Sequence, residues 1–557
     1  MKIFLRVGLI AIVVLLLLLR FYKLDLDAAA NNISGITTWD EPYYTYSAMY
    51  DLISSKPTFP QDLKANALIE IISIHSNLIT KIGFFIAGNT FEGLRLGVVL
   101  ISLLTILMLY KIAIQHFDFL DTQKTVNKLL ILSLLLTEPT FFMFSRAQTP
   151  QIYSIFWITL VFYSVFQYTR SGKNLWIMLA VALALLTVCF VYPYNVYVAL
   201  ALASYLLTEY IKSRQSKLLL FSFLGLILGV VIYTVILKLY GFGINDYFHF
   251  MKSFRAYRNE SDLSNRTILS IAMAPLQIFY TNLLRYNPLF VLTLFSLPIL
   301  FIRKAARPSF DNFILLVVGM AFLQSFGISS YPFKKWVTLF PTLFLTIPFL
   351  FRTIHIQIRD KKLIRYLLYA LFFAMTLKTQ LVVNTKEYWS GFDAWFIYQN
   401  PDVMIKWFPV LFALLIIILF ELINRGINPK SLLVLIAICQ TIIMFRINFY
   451  KQTNTYLTIL KDNAKYLDNK VVISDSEVYT LYNNGIVFYN YMSKQLNIDS
   501  EIVSKSDTYT FKERCLVRSY PPNLPPSDII NDGGNEYTLV KYTKGSIYSF
   551  AIYEQKK

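Results

Sequence analysis

The chain has 557 residues, of which 56% are hydrophobic, 16% aromatic and only 15% charged, and its mean hydropathy is +0.51. This composition excludes an ordinary soluble globular protein and predicts a polytopic membrane protein. The formal net charge of +19 does not indicate nucleic-acid binding. Many of the basic residues lie in short loops between apolar runs, where the positive-inside rule accounts for them.

The first apolar run, residues 1–22, fits either a signal peptide or a first transmembrane helix. Small residues at 27–30 offer a cleavage site, but they lie too far beyond the apolar run, after too many charges, for a usual cleavage region. We therefore expect an uncleaved membrane-spanning helix.

About thirteen apolar runs have the length that a transmembrane helix needs, roughly 18 to 22 residues. They fall near residues 3–22, 94–115, 127–144, 151–169, 174–191, 194–211, 218–240, 284–302, 310–328, 333–351, 364–383, 406–424 and 430–447. Basic loops such as YTRSGKN, IKSRQSK and FIRKAARP all fall on one side, which the positive-inside rule makes cytoplasmic.

The long segments between the runs fall on the opposite, outer side. They are residues 23–93, 241–283, 384–405 and everything after about 448. Because polar backbone cannot lie unsatisfied in lipid, we expect these segments to fold over the outer membrane face and to carry the functional surface.

Two of the outer segments have their own predicted structure. Residues 66–88 are apolar with polar interruptions at near-helical spacing, which predicts an interfacial helix lying along the membrane. The residues after about 450 contain short β-like runs between Asn, Gly and Pro clusters. The predicted fold class is an α-helical polytopic membrane protein, with about thirteen transmembrane helices in residues 1–447 and a small extracytoplasmic α/β domain in residues 448–557.

The sequence lacks the residue patterns of several common structural and binding sites. Cys189, Cys439 and Cys515 lie in different segments without CxxC or Cys/His spacing, so we infer neither a disulfide framework nor a structural zinc site. The polar part contains no glycine-rich strand-to-helix turn of a nucleotide-sugar fold. No internal repeat stands out, which disfavours a secondary transporter built from repeats.

The segment TTWDEPYYTYSAMYDLISS, residues 37–55, places Asp40 and Glu41 directly before a proline on the outer side. Pro42 predicts the start of a helix, with both carboxylates at its amino end, where the helix dipole favours their ionised forms. An ionised carboxylate at the membrane surface is suited to accept a proton. A capping pair on a solvated loop explains the same residues.

An amino-terminal span followed by an outer loop with WDEPYY resembles the C-type glycosyltransferases (GT-C) that use polyprenyl-phosphate sugars, such as protein O-mannosyltransferases and the lipid A aminoarabinose transferase. In those families an Asp-Glu pair opens the first outer loop. Residues 75–95, 135–157 and 331–345 resemble further elements of the same families. The sequence departs from the family pattern in the turn after the third span, where members often carry a second acidic residue and this chain has SRAQTP at 145–150.

The resemblance implies an inverting transfer in which an acceptor hydroxyl loses a proton as it attacks the anomeric carbon, while the departing phosphate needs positive charge. By resemblance, Asp40 is the base and Glu41 supports it or orients the acceptor. The candidate donor-phosphate-binding residues are Arg146, Lys334, Lys335, His75 and Arg95. Interfacial snorkelling explains single basic residues at span ends equally well, and Arg95 also fits a brace for the first loop.

Two further features are open to more than one interpretation. The segment FRAYRNESD, 254–262, offers Arg255, Tyr257 and Arg258 as a cover for the donor or acceptor entrance, or is a solvated loop. A divalent metal is the one cofactor that the sequence suggests. His75 and His249 with Glu41 or Glu70 are its candidate ligands, although scattered histidines are more often structural.

The sequence thus predicts a glycosyltransferase that moves a hexose or pentose from a polyprenyl-phosphate donor to a lipid, glycan or protein acceptor. It is expected in the plasma membrane, as a multi-pass protein of a bacterial inner membrane, with its active site and C-terminal domain outside. Its partners are the donor, the acceptor and membrane lipids, without nucleic acid. Two other classes remain open: a transporter or flippase of lipid-linked glycans, and a non-catalytic membrane assembly protein in which Asp40 and Glu41 only cap a helix.

Overall fold

The structure is a computed structural model. It describes residues 2–22, 24, 67–88, 90–249, 251–252, 309–325, 337–349, 414, 417–418, 421, 429–449, 471–474, 478–482, 485–489, 514–520, 526–532, 534–543 and 549–556. The described part is mostly helical, and its strands all lie after residue 470.

Twelve α-helices have defined bounds in the described part of the chain. They are α1 (Lys2–Leu18), α2 (Ala67–Ala87), α3 (Phe91–His116), α4 (Thr125–Thr137), α5 (Pro139–Phe144), α6 (Pro150–Ser171), α7 (Leu175–Leu186), α8 (Val196–Ser213), α9 (Ser216–Leu239), α10 (Ser309–Ser325), α11 (Phe340–Leu345) and α12 (Pro429–Phe449).

Three helices among the described residues are long and apolar enough to cross a membrane: α3, α6 and α9. They coincide with apolar runs predicted at 94–115, 151–169 and 218–240. Shorter apolar helices occupy other predicted runs, including α1, α4, α7, α10 and α12. The total of about thirteen spans includes runs outside the described residues, and it stays a prediction.

Helix α6 lies at the centre of the helical packing and has clear start and stop signals. Pro150 occupies its first turn, and Gly172 ends it in the left-handed conformation with φ 66°, donating its N–H to the Tyr168 carbonyl at 2.8 Å. Most of its side chains are buried. The Phe162 and Phe313 rings pack 5.1 Å apart and join α6 to α10. Helix α6 therefore provides a rigid surface against which neighbouring elements are placed.

The helix predicted over residues 66–88 is present as α2, which turns at Gly88 and packs back along α3. Glycines allow the two backbones to approach closely. A Cβ added at Gly83 would collide with the Gly93 carbonyl oxygen, and one at Gly97 would collide with the Ile79 carbonyl oxygen. The prediction that α2 lies along the membrane surface is not tested by these contacts.

Two predicted runs are interrupted in the structure. The run predicted at 127–144 divides at Glu138 into α4 and α5, because Pro139 begins a new helix there. The run predicted at 174–191 ends in a π-helical turn, Thr187–Val191, followed by the short 3-10 turn Pro193–Asn195. Such turns re-aim the side chains that follow them, and they often lie near functional sites.

Five of the seven described strands lie in predicted β-like runs, whereas the strands at 478–482 and 529–532 were not predicted. The described strands are β1 (Val471–Ser474), β2 (Val478–Tyr482), β3 (Gly485–Tyr489), β4 (Arg514–Tyr520), β5 (Ile529–Asp532), β6 (Asn535–Thr543) and β7 (Ser549–Gln555). Five of them form one sheet in the order β1-β4-β7-β6-β5, parallel between β1 and β4 and otherwise antiparallel, and β2 pairs with β3 as a hairpin. Tyr537, Ala551 and Tyr553 form a small buried cluster on the sheet. A separate extracytoplasmic domain over 448–557 stays a prediction.

Candidate active site

The predicted site residues fall into two groups. Seven lie outside the described residues, and their roles stay predictions: Asp40, Glu41, Lys334, Lys335, Arg255, Tyr257 and Arg258. The structure describes the side chains of the other three, Arg146, Arg95 and His75.

Arg146 lies just after α5 and is only 6% exposed. Its guanidinium donates to two main-chain carbonyls beyond the end of α1: Nη1 to Leu19 O at 3.2 Å and Nη2 to Tyr22 O at 2.6 Å. The same group lies 5.8 Å from the centre of the Phe142 ring. Carbonyls at the end of a helix lack intrahelical partners and carry partial negative charge, so a guanidinium stabilises them. Arg146 therefore holds the chain where it leaves α1.

Arg20 lies within the segment that Arg146 holds, and its side chain is fully buried. Its Nη1 donates to Ser145 Oγ at 2.5 Å, and its Nη2 donates to the Leu136 carbonyl at 3.3 Å. Its guanidinium also lies 5.0 Å from the centre of the Phe142 ring. Sequence analysis did not single out Arg20, because a basic residue at the end of a first span is commonplace.

Arg95 contacts the same stretch of chain as Arg146. It is 1% exposed near the start of α3, and its Nη1 donates to the Leu24 carbonyl at 2.8 Å. Leu24 belongs to the first outer segment, and whether Arg95 braces that segment or binds the donor phosphate stays a prediction. Arg146 and Arg95 therefore both donate to main-chain carbonyls within residues 19–24, the stretch that also contains Arg20. This stretch leads into the segment with Asp40 and Glu41.

Glu138 is a buried carboxylate that sequence analysis also missed. It caps α5, accepting the backbone N–H of Thr140 at 3.2 Å on Oε1 and the backbone N–H of Phe141 on Oε2. Its negative charge acts electrostatically on Arg20. The signal was present in the sequence, since Glu138-Pro139 repeats the carboxylate-proline pair of Glu41-Pro42.

His75 lies on α2 in a box of aromatic rings. Its Nε2 accepts the indole N–H of Trp157 at 2.8 Å, and the Tyr153 and Phe190 ring centres lie 4.6 and 5.2 Å from its own. Burial lowers the pKa of His75 to about 3. The imidazole is thus neutral near pH 7 and, without a charge, brings no ionic attraction to a phosphate.

A second polar contact links α6 to the start of α3. The Tyr153 hydroxyl hydrogen-bonds Gln148 Oε1, and Gln148 Nε2 donates to the Leu94 carbonyl at 2.5 Å. Leu94 directly precedes Arg95 in the chain. The aromatic box around His75 and the arginine contacts after α1 are therefore joined through the amino-terminal turn of α3.

No three side chains that could hold a metal ion lie together within the described part of the chain. His75 Nε2 is engaged by the Trp157 indole, and the His249 side chain is exposed. The candidate ligand Glu41 lies outside the described residues, so a divalent metal site stays a prediction.

Residues 73–236 match the sequence model of the family described as dolichyl-phosphate-mannose-protein mannosyltransferase. This segment runs from α2 into α9 and contains His75, Arg95 and Arg146. A comparison of the sequence with curated proteins gives no significant match.

Solved structures of ArnT have a similar fold. The chain is similar to ArnT from Cupriavidus metallidurans in its apo state, with a TM-score of 0.54, 14% sequence identity and 98% of both chains covered. It is similar to the same protein bound to undecaprenyl phosphate, with a TM-score of 0.56, 14% identity and 98% of both chains covered. The arabinosyltransferase EmbB from Mycobacterium smegmatis gives a TM-score of 0.46 at 13% identity, over 82% of this chain and 42% of that chain. The family match and the ArnT-like fold confirm the resemblance to C-type glycosyltransferases that the sequence predicts.

Proposed function

We propose that this protein is a membrane glycosyltransferase that takes a sugar from a polyprenyl-phosphate donor and transfers it to an acceptor hydroxyl. The match of residues 73–236 to a mannosyltransferase family carries the proposal. The ArnT-like fold supports it, and the solved complex of ArnT with undecaprenyl phosphate supports a polyprenyl donor.

Asp40 is the general base in this mechanism. Its carboxylate takes the proton of the acceptor hydroxyl while the hydroxyl oxygen attacks the anomeric carbon. The bond between that carbon and the phosphate oxygen breaks, and the phosphate leaves with the electron pair. Attack opposite the leaving group inverts the anomeric configuration. Glu41 supports Asp40 or orients the acceptor.

Lys334 and Lys335 supply positive charge to the departing phosphate. We prefer the two lysines over Arg146, Arg95 and His75, the other predicted phosphate-binding residues, because of the surroundings of those three side chains. Arg146 and Arg95 each donate to main-chain carbonyls after α1, and His75 is neutral near pH 7. Arg255, Tyr257 and Arg258 cover the entrance for donor or acceptor.

The reaction takes place on the outer face of a bacterial inner membrane, with the C-terminal domain outside and shaping the acceptor site. The loop charges of the sequence support this orientation. The acceptor is a lipid, a glycan or a protein that carries a free hydroxyl. The carboxylate and the lysines suffice for the step as written, and a divalent metal is not part of it.

The test is transfer from a panel of radiolabelled polyprenyl-phosphate sugars to crude membranes that contain the wild-type protein or a folded Asp40→Asn protein. We expect label to pass to one class of acceptor with the wild-type protein only. The labelled product identifies the acceptor. Movement of an intact lipid-linked sugar across the bilayer, without transfer from any donor, would favour a flippase and overturn the proposal.

A further inference from the structure

Two of the buried arginines exchange contacts across the same junction. Arg20, beyond the end of α1, donates to Ser145 Oγ and to the Leu136 carbonyl. Arg146, beyond the end of α5, donates back to the Leu19 and Tyr22 carbonyls. We call this reciprocal set the arginine clasp. It fastens the residues that follow α1 to the last turn of α4 and to the residues just after α5 with four hydrogen bonds.

The side chain of Phe142 lies between the two halves of the clasp. The Arg20 and Arg146 guanidinium carbons lie 5.0 and 5.8 Å from the centre of its ring, a distance that suits a cation–π contact. Arg20 also lies 5.1 Å from the Phe141 ring centre. The negative charge of the Glu138 carboxylate acts on Arg20 and favours its charged form. The clasp is therefore packed, hydrogen-bonded and partly neutralised.

Arginines at the ends of membrane spans commonly extend their charge into water. This explanation does not suit the clasp, since Arg20 is 0% exposed and Arg146 is 6% exposed. Burying two like charges side by side opposes folding, so the contacts must offset that cost. The main-chain acceptors of Arg146, the Leu19 and Tyr22 carbonyls, lie on the short stretch between α1 and the following outer segment.

We propose that the arginine clasp sets the direction in which the chain leaves α1, and so positions the outer segment that carries Asp40 and Glu41. Arg146 and Arg20 are positioning residues, and the donor phosphate is held by other groups. The catalytic consequence rests on the proposed function, whereas the anchoring itself does not. A small misplacement of a reacting group lowers turnover without an equal change in substrate binding.

The anchoring is tested with a nitroxide spin label on full-length protein in lipid nanodiscs. Cys189, Cys439 and Cys515 are replaced by alanine, and the label is attached through Phe21→Cys, whose side chain is 38% exposed. We expect Arg146→Gln to increase label mobility in the electron paramagnetic resonance spectrum, and Arg146→Lys to increase it less, because lysine reaches one of the two carbonyls. Arg20→Lys is the second variant and changes mobility in the same direction.

Arg170→Gln is the matched control. The Arg170 guanidinium also lies 5.8 Å from a phenylalanine ring, that of Phe166, at the opposite end of α6, and it donates to the exposed side chain of Gln115. Within the described part of the chain, its contacts are with Phe166 and Gln115 and not with the residues after α1, and we expect its loss to leave the label unchanged. Equal mobility in wild type and Arg146→Gln would overturn the clasp.

The catalytic consequence is tested with the donor that supports transfer by the wild-type protein. We expect Arg146→Gln to lower kcat by about 10- to 100-fold. The KM for donor and the Kd for undecaprenyl phosphate should stay within about twofold of wild type. A fall in affinity for undecaprenyl phosphate that accounts for the whole loss would instead make Arg146 a phosphate ligand. If the wild-type protein transfers no sugar, the proposed function fails, and the spin label still decides whether the clasp anchors the chain.

Discussion

At the scale of single residues, burial decides which of the predicted polar groups carry charge. His75 accepts a hydrogen bond from Trp157 inside a box of aromatic rings, and its pKa of about 3 keeps it neutral. Arg146 is as buried as His75, but it remains useful as a donor because main-chain carbonyls face it. The chemistry of these two groups thus follows from their surroundings and not from their residue type alone.

The low pKa of His75 makes stability sensitive to acid. An unfolded histidine binds a proton below about pH 6.5, whereas folded His75 does so only near pH 3. Between these values the unfolded state holds the extra proton, so the free energy of unfolding falls as the pH falls, by up to about 1.4 kcal/mol per pH unit. We expect the melting temperature of His75→Phe to drop less between pH 7.5 and 5.0 than that of the wild type.

The control for this prediction is Gly8→Ala, because it changes no titratable group and a Cβ at Gly8 meets no atom within 4 Å. Its melting temperature should fall between the two pH values as much as that of the wild type. If the melting temperature of His75→Phe fell between pH 7.5 and 5.0 as much as that of the wild type, burial of His75 would not contribute to the acid sensitivity.

At the scale of elements, the same local rule appears at a predicted and at an observed helix start. The pair Glu41-Pro42 predicts a capped helix, and the pair Glu138-Pro139 forms one, with the carboxylate on the first backbone N–H groups of α5. Glu138-Pro139 is hard to recognise as a helix start in the sequence, because the pair lies inside an apolar run that continues from 127 to 144.

The close packing of α2 on α3 depends on Gly97. A Cβ at this position would meet the backbone carbonyl of Ile79, which cannot move without shifting α2. We expect Gly97→Ala to lower the free energy of unfolding by about 1–3 kcal/mol, the usual cost of overpacking. Thermal unfolding followed by intrinsic fluorescence measures the effect.

Gly8→Ala is the control, since a Cβ at Gly8 in α1 meets no atom within 4 Å. Alanine there should leave stability unchanged or raise it slightly, because alanine favours helix more than glycine does. Equal melting temperatures for Gly97→Ala and Gly8→Ala would contradict the close approach of α2 and α3.

At the scale of the whole molecule, the sequence predicts elements better than it predicts their contacts. Apolar runs locate the described helices and β-like runs locate most of the described strands, because burial and hydrogen bonding impose periodicities that can be counted. The arginine clasp could not be predicted in this way. Arg20 and Ser145 are 125 positions apart, and nothing in the local pattern of either indicates the other.

Sidedness is a prediction for the whole chain. In intact cells, a membrane-impermeant maleimide should label a cysteine placed at Lys541 and should leave one at Lys173 unlabelled, in a background without the native cysteines. Both side chains are exposed, so accessibility depends on the side of the membrane. Labelling of the cysteine at position 173 alone would show that the protein has the opposite orientation in the membrane.

The most direct test of the central claim is the rate of polyprenyl phosphate release by the purified protein, with the donor and acceptor identified in membranes. We expect Asp40→Asn to lower kcat by about 10²- to 10⁴-fold at unchanged melting temperature, since a general base contributes that much. We expect Glu41→Gln to lower kcat by a smaller factor than Asp40→Asn does. Equal rates for the wild type and Asp40→Asn would place the base elsewhere and contradict the mechanism.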